Sequence, residues 1–284
     1  MKKIMLCGVL ACSFMFSPMV LAKAVVFNAT TIAKTQLESL SFKNLMRTLY
    51  PGQMVNVDVQ DESIAQMPHI GLERPDRDNN QTVAVMHPVL GYPNTSQQKR
   101  YLVMIEKLQV SDGAVQSCHA CSADADLYLF KQLPNGRFQL VSRSAPKAQF
   151  GGSWGRVDLD LKQIQQNLQP FGKQLTGSYF KIGYTSTGTT MSSWQALFLS
   201  ENDYIRSYEI ADGGADNAGN YEPDSPLFYN YTSTLKIIPN GTAYYPVRVT
   251  YTGEKPMADD TIRHVNYSEN LRFDPVHGKY KSAP

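Results

Sequence analysis

The stretch DLYLFKQLPNGRFQLVS, residues 126–142, predicts two antiparallel strands joined by a short turn. Residues 126–131 and 138–142 are rich in aliphatic and aromatic side chains, which suit half-buried strands. Between them lies Pro134-Asn135-Gly136, and an Asn-Gly pair readily adopts the positive φ angles that tight hairpin turns require. The stretch therefore indicates a β-hairpin, and hairpins assemble into antiparallel sheets.

The rest of the chain repeats this pattern with few interruptions. A second Pro-Asn-Gly turn, at residues 239–241, separates two further apolar runs at residues 227–238 and 244–251. Other strands are predicted at residues 101–110, 179–184, 194–199 and 264–273. Leucine spacing predicts helices over residues 35–50 and 159–168. We therefore expect a mainly β (α+β) fold, an antiparallel sheet or sandwich with an N-terminal helix and one further short helix.

The first 22 residues have the pattern of a secretory signal peptide. Lysines at residues 2–3 precede an apolar run at residues 4–16, and small or neutral residues lead up to Ala22. Cleavage after Ala22 is the main expectation, cleavage after Ala24 is the alternative, and lipidation at Cys12 ranks behind both. We therefore expect a periplasmic or secreted protein with no integral membrane span once the signal is removed.

The mature chain, residues 23–284, is predicted to be a single region. Its helix-bearing N-terminal part, residues 23–100, is expected to pack on a β-rich part, residues 101–284. The full chain has a formal net charge of +2, and removal of the two signal lysines leaves a neutral mature protein. Because no basic cluster remains, a nucleic-acid partner is not expected.

The sequence Cys118-His119-Ala120-Cys121 contains the two cysteines that remain after signal cleavage. A haem attachment motif places its histidine after the pair, a zinc site requires a second ligand pair, and a redox pair requires a helix N-terminus. None of these features accompanies the motif. In an oxidising compartment we therefore expect a structural Cys118–Cys121 disulfide, with His119 turned toward solvent.

Residues 151–155 match the Gly-x-Ser-x-Gly pattern of a serine-hydrolase nucleophile. Ser153, His264 and either Asp224 or Asp212 would follow the chain order of that fold. However, residues 145–150 do not resemble a buried strand, and the alternation of strands and helices that this fold requires is missing. A glycine-rich structural turn is the preferred interpretation, and a serine hydrolase using Ser153, His264 and Asp224 is the alternative.

Two further groups of side chains are candidate sites. The loop predicted at residues 211–225 contains Asp212, Asp216 and Asp224, whose oxygen atoms suit Ca²⁺, but Gly214 breaks the EF-hand spacing and a solvated turn is preferred. Tyrosines suit partly exposed glycan- or protein-binding surfaces, although they also favour ordinary strand packing. The candidate binding surface consists of Tyr221, Tyr229, Tyr231, Tyr244 and Tyr245.

Several of these features follow one another along residues 101–280. They are Cys-His-Ala-Cys leading into Leu127-Tyr128-Leu129-Phe130, Gly-Ser-Trp-Gly at 152–155, the glycine- and serine-rich residues 183–193, and Tyr244-Tyr245. In these features the chain resembles uncharacterised exported proteins of Gram-negative bacteria, whose function is unknown. The resemblance implies export and a shared β-rich unit, and it assigns no catalytic residue.

Together these patterns predict an exported binding or protein-interaction module without catalytic activity and without a cofactor. The expected partner is an envelope protein or glycan of unknown identity. The alternative remains the serine hydrolase.

Overall fold

A computed structural model describes residues 26–146, 148 and 150–283 of the chain. The predicted signal peptide, both of its expected cleavage sites and Cys12 lie outside these residues. Within the described part, two eight-stranded antiparallel sheets and four short helices form the fold. The predicted mainly β, antiparallel class is therefore confirmed. None of the described helices is long and apolar enough to cross a membrane.

The first sheet is formed by the N-terminal half of the chain, together with three of the helices. Its strands are β1 Gln36–Leu37, β2 His69–Gly71, β3 Asn80–Met86, β4 Leu90–Pro93, β5 Lys99–Ser111, β6 Ala114–Val115, β7 Asp124–Gln132 and β8 Phe138–Arg143. The helices α1 Ala29–Ile32, α2 Phe42–Leu49 and α3 Glu62–Ala65 precede β2. The strand order is β1-β8-β7-β5-β3-β2, and β4 and β6 also pair with β5. The long central strand β5 therefore organises this sheet.

The second sheet follows the helix α4 Leu161–Gln166 and is a meander. Its strands are β9 Gln169–Gly172, β10 Leu175–Ser186, β11 Thr189–Leu199, β12 Arg206–Asp216, β13 Asn230–Ile237, β14 Val247–Pro256, β15 Ile262–Asp274 and β16 Lys279–Ser282. Each strand pairs with its neighbours in sequence. Strand β12 pairs with β13 only over residues 214–216, and its other half packs on β15 through Tyr208 and Phe273, whose ring centroids are 4.7 Å apart. The second sheet therefore curls around its own core.

Alternation along β5 explains how the first sheet is buried on both faces. Leu102 and Met104 point into a cluster shared with the second sheet, whereas Val103 and Ile105 point into a cluster covered by α1 and α2. All four side chains are almost completely buried. A strand buried on both faces needs a continuous apolar run, which is the pattern that the sequence shows at residues 102–105.

The first predicted hairpin forms as expected, and the second differs. Gly136 has a φ of 82° in the turn that joins β7 to β8. The second Pro-Asn-Gly lies in a longer connection, because β14 begins at Val247 and leaves Tyr244 and Tyr245 outside the strand.

The helix predicted over residues 35–50 is shorter than expected. Only Phe42–Leu49 is helical, because Gln36–Leu37 pairs with β8 and the side chain of Leu37 is buried there from an extended backbone. The second predicted helix, at 159–168, is α4, which Asp160 caps by accepting hydrogen bonds from the N–H groups of Lys162 and Gln163. The predicted division at residue 100 falls within β5, whereas the two sheets separate between residues 143 and 169.

Candidate functional site

The disulfide loop lies between β6 and β7. Cys118 and Cys121 are bonded, with their Cα atoms 4.9 Å apart, so the predicted pairing is confirmed. His119 is exposed, but its Nε2 donates a hydrogen bond to the carbonyl oxygen of Thr185 at 3.1 Å. Its ring also meets the Trp154 ring edge-on, with 5.5 Å between centroids. The loop is therefore held against the end of β10 in the second sheet.

The glycine-rich turn at residues 151–155 packs directly on the disulfide loop. The N–H of Trp154 donates to the carbonyl oxygen of Cys118 at 3.0 Å, and the N–H of Gly155 donates to that of Cys121 at 2.9 Å. A Cβ on Gly155 would lie 2.4 Å from the carbonyl oxygen of Gln116. Glycine is therefore required here because two backbone segments approach closely, which is a structural reason for the Gly-x-Ser-x-Gly pattern.

A buried ion cluster fixes the C-terminal end of this turn. Glu106, on β5, is 1% exposed and receives two hydrogen bonds from the Arg156 guanidinium, at 3.0 and 2.8 Å. His87 Nε2 donates to the same carboxylate at 2.8 Å, and the N–H of Val157 donates at 3.0 Å. The carboxylate is therefore fully paired, as a buried charge must be.

These contacts set the pKa of Glu106. Burial by itself raises the pKa, but the hydrogen bonds from His87, Arg156 and the Val157 N–H outweigh burial and lower it to about 2. Glu106 therefore stays ionised at neutral pH and fixes the position of Arg156.

A cleft of about 420 Å³ opens between these loops and the β10–β11 hairpin. Its volume lies in the range of small-ligand sites. The lining residues are His119, Gly152, Ser153, Asp158, Ile182, Gly183, Tyr184, Met191, Ser192 and Ser193. Tyr184 and Met191 are cross-strand partners and are 52% and 38% exposed. Trp154 is not a lining residue, but its ring contacts His119, which is, and it is 57% exposed.

The structure does not bring together the side chains of the serine-hydrolase alternative. Ser153 lies in the cleft, but its Oγ makes no hydrogen bond with the described residues. His264 bonds Glu254 through Nδ1 at 2.9 Å, on a strand four places from β11 in the sheet order. Among the described residues no hydrogen bond joins His264 to Ser153, whereas a general base must lie within hydrogen-bond reach of the serine hydroxyl. Asp224 is exposed on the connection between β12 and β13.

The aspartates of the candidate calcium loop are used by the fold. Residues 211–216 belong to β12 instead of the predicted loop, and Gly213 forms a bulge there. Asp212 pairs with Lys255 at 2.9 Å and accepts a hydrogen bond from the Tyr231 hydroxyl at 2.7 Å. Asp216 accepts the N–H of Ala218 at 3.2 Å. Among the described residues, no group of three His, Cys, Asp or Glu side chains could hold a metal ion.

The five candidate tyrosines do not form one surface. Tyr231, Tyr244 and Tyr245 pack against the core of the second sheet. Tyr221 and Tyr229 lie in the connection between β12 and β13, and Tyr221 is 39% exposed. Most of this set therefore contributes to packing.

A second cavity, of about 540 Å³, lies elsewhere on the molecule. It is lined by Lys173, Gln174, Leu175, Ser200, Glu201, Asn202, Asp203, Ala243 and Tyr244. Glu201 is paired with Arg100 at 2.7 Å and accepts a hydrogen bond from Asn94. Its carboxylate is therefore already neutralised, which favours the smaller cleft as the candidate site.

Sequence reasoning missed Asp158, Tyr184 and Met191 as cleft residues, because Asp158, in the segment before α4, meets the β10–β11 hairpin that carries Tyr184 and Met191 only in the folded chain. The sequence does contain a signal for the buried ion cluster around Glu106. Glu106 is in phase with the buried Leu102 and Met104 on one strand, and a charged residue at a buried position requires a partner.

Comparisons with known proteins identify no relative for this chain. No protein-family model matches the sequence, and neither a curated protein nor a solved structure matches it. The geometry of the cleft is therefore the basis on which a function can be inferred.

Proposed function

We propose that this chain is an exported ligand-binding module without catalytic activity, which binds its ligand in the cleft between the disulfide loop and the β10–β11 hairpin. The N-terminal signal pattern and the Cys118–Cys121 bond support export, because disulfides persist in oxidising compartments.

The main observation in support of the proposal is that Trp154 combines an exposed ring with a strained backbone. Its backbone has a φ of 55°, a conformation that costs a residue with a bulky side chain of the order of 1 kcal/mol, and its ring is 57% exposed. Hydrogen bonds to the disulfide loop hold it in this position. The fold gains little from an exposed aromatic ring in a strained backbone, whereas a binding site gains a preorganised contact surface.

The opposite wall gives a second apolar surface. Tyr184 and Met191 are exposed on facing strands, and the Tyr184 hydroxyl lies 3.9 Å from the Met191 sulfur. They give the cleft an apolar side opposite its polar lining, which is the usual composition of a ligand site, and Trp154 adjoins it through its contact with His119.

A small-molecule library screened by thermal shift tests the proposal. Compounds that bind in the cleft are expected to stabilise the wild type and to lose that effect in Tyr184→Ala/Met191→Ala. The matched control is Tyr267→Ala, which removes a tyrosine that is 44% exposed on β15. Stabilisation that is unaffected by the cleft variant contradicts the proposed site.

A fluorophosphonate probe tests the absence of catalysis. We expect no labelling, since no base contacts Ser153 Oγ among the described residues. Labelling that Ser153→Ala abolishes would instead support the serine hydrolase.

A further inference from the structure

Asp158 is a charged residue that lines the cleft and has no partner among the described residues. Its carboxylate makes no hydrogen bond or ion pair with the described residues, although it lines the cleft and is only partly exposed. Its neighbours in sequence are fixed, because the Val157 N–H is bonded to Glu106 and Leu159 is buried. Asp158 is therefore held in place by its backbone, while no described residue occupies its carboxylate.

The nearby cations are bound elsewhere. Arg156 is paired with Glu106, and the Nζ of Lys181 donates to the carbonyl oxygen of Gly213 at 2.8 Å. Partial burial raises the pKa of Asp158, which reflects the cost of keeping its carboxylate charged without a partner. A bound cation would remove that cost.

The serine side chains that line the cleft restrict the chemical class of the ligand. The Ser192 hydroxyl already donates to the Gly214 carbonyl oxygen, and the Ser193 hydroxyl already accepts a hydrogen bond from Gln195. A saccharide would bring many hydroxyl groups into a cleft that offers few free polar partners, and unpaired polar groups are costly when buried.

The apolar walls suit a different chemistry. Ile182 and Met191 can pack against an aliphatic chain, and the Tyr184 ring can attract a cation in addition to the carboxylate. The cleft thus combines a single anionic group with apolar surface.

From this juxtaposition we propose that the cleft binds a small ligand with an ammonium group on an apolar chain, the ammonium pairing with Asp158. This inference rests on the proposed binding function and names the class of ligand. A free carboxylate beside aliphatic and aromatic surfaces is complementary to such a ligand in charge and in polarity.

The test uses Trp154 as a reporter. The chain has two tryptophans, so Trp194→Phe leaves Trp154 as the one tryptophan, at the rim of the cleft. Its fluorescence is titrated with n-hexylammonium, with 1-hexanol as the neutral analogue and with hexanoate as the anionic analogue. We expect n-hexylammonium to bind about tenfold more tightly than 1-hexanol, as one partly exposed charge pair with a cation–π contact allows.

Asp158→Asn in the same background is expected to reduce the affinity for n-hexylammonium to that for 1-hexanol. The matched control is Asp260→Asn, an exposed aspartate in the β14–β15 turn, which should leave both affinities unchanged. Equal affinities for n-hexylammonium and 1-hexanol, tighter binding of hexanoate, or no binding of n-hexylammonium each overturn the ammonium assignment. The thermal-shift screen with the Tyr184→Ala/Met191→Ala variant decides separately whether the cleft binds ligands at all.

Discussion

Replacing Glu106 by glutamine should destabilise the protein by about 3 kcal/mol at pH 7 and loosen one wall of the cleft. The variant removes the charge that holds the Arg156 guanidinium and His87. Breaking a buried ion pair costs about 3–5 kcal/mol. Because Arg156 is 35% exposed and can recover water, the lower end of that range applies.

The lowered pKa of Glu106 gives a second value, of the same size, for the free energy by which its contacts stabilise the fold. A pKa of about 2 in the folded chain, against an ordinary 4.5, corresponds to about 3 kcal/mol at about 1.4 kcal/mol per pKa unit. Because the folded-state pKa is lowered, this stabilisation is present above the unfolded-state pKa and is lost as the pH falls toward 2. By this linkage, the contribution should fall by roughly half between pH 7 and pH 3.

Urea unfolding followed by far-ultraviolet circular dichroism, at pH 7 and at pH 3, measures both effects. The difference in unfolding free energy between wild type and Glu106→Gln should narrow as the pH falls. Glu209→Gln is the matched control, because Glu209 is exposed on β12 and its loss should change the unfolding free energy by less than about 0.5 kcal/mol. A variant as stable as the wild type at pH 7, or a difference that does not shrink at pH 3, refutes the reasoning.

The Glu106→Gln substitution should also loosen the Trp154 turn beside the cleft. The N–H of Arg156 donates to the carbonyl oxygen of Ser153 at 3.0 Å, so the ion cluster and the Trp154 turn are directly connected. In the Trp194→Phe background, Glu106→Gln should therefore increase quenching of Trp154 fluorescence by acrylamide. Unchanged quenching in a destabilised variant would show that the turn is held by the disulfide loop alone.

Three further predictions concern the same wall of the cleft. Gly155→Ala should cost about 2 kcal/mol or more in urea unfolding, because its Cβ would lie 2.4 Å from a backbone oxygen. Gly136→Ala, with the same sign of φ and no atom within 4 Å of its Cβ, should cost only about 1 kcal/mol. Cys118→Ser with Cys121→Ser should lower the unfolding free energy by less than the ~3 kcal/mol typical of a 15-residue loop and leave the circular dichroism spectrum unchanged. Trp154→Gly relieves a backbone with a φ of 55° and should change stability by less than about 1 kcal/mol while reducing the thermal shift that n-hexylammonium produces, so a large loss of stability would contradict the binding role of this ring.

Local sequence signals were sufficient for the first hairpin and for the disulfide. The conformation of an Asn-Gly turn and the pairing of two closely spaced cysteines depend mainly on residues adjacent in sequence. Both features form in the structure as the sequence predicts. The helix over residues 35–50 was overestimated because the same leucine spacing is compatible with extended backbone at Leu37, where pairing with β8 competes with helix formation.

The candidate site could not be predicted in the same way, because its walls are separate in sequence. Asp158 and Tyr184 come from different sides of α4, and they meet only once β10 packs over the glycine-rich turn. The Gly-x-Ser-x-Gly pattern pointed to Ser153, which does line the cleft, but for a chemistry whose histidine lies four strands away. The motif therefore led to a loop that lines the cleft but not to the residues beside that loop, since a motif specifies neighbours in sequence and a site requires neighbours in space.

The distribution of unfavourable features favours a binding role for this cleft over a purely structural one. The strained backbone of Trp154, the exposed rings of Trp154 and Tyr184, and the unpaired carboxylate of Asp158 all lie within or beside it. Each feature lowers the stability of the isolated chain, whereas the fully paired Glu106 cluster directly behind them raises it. Rigid support behind an energetically unsatisfied surface is the arrangement expected when a ligand supplies the missing contacts, because preorganisation reduces the entropy that binding must overcome.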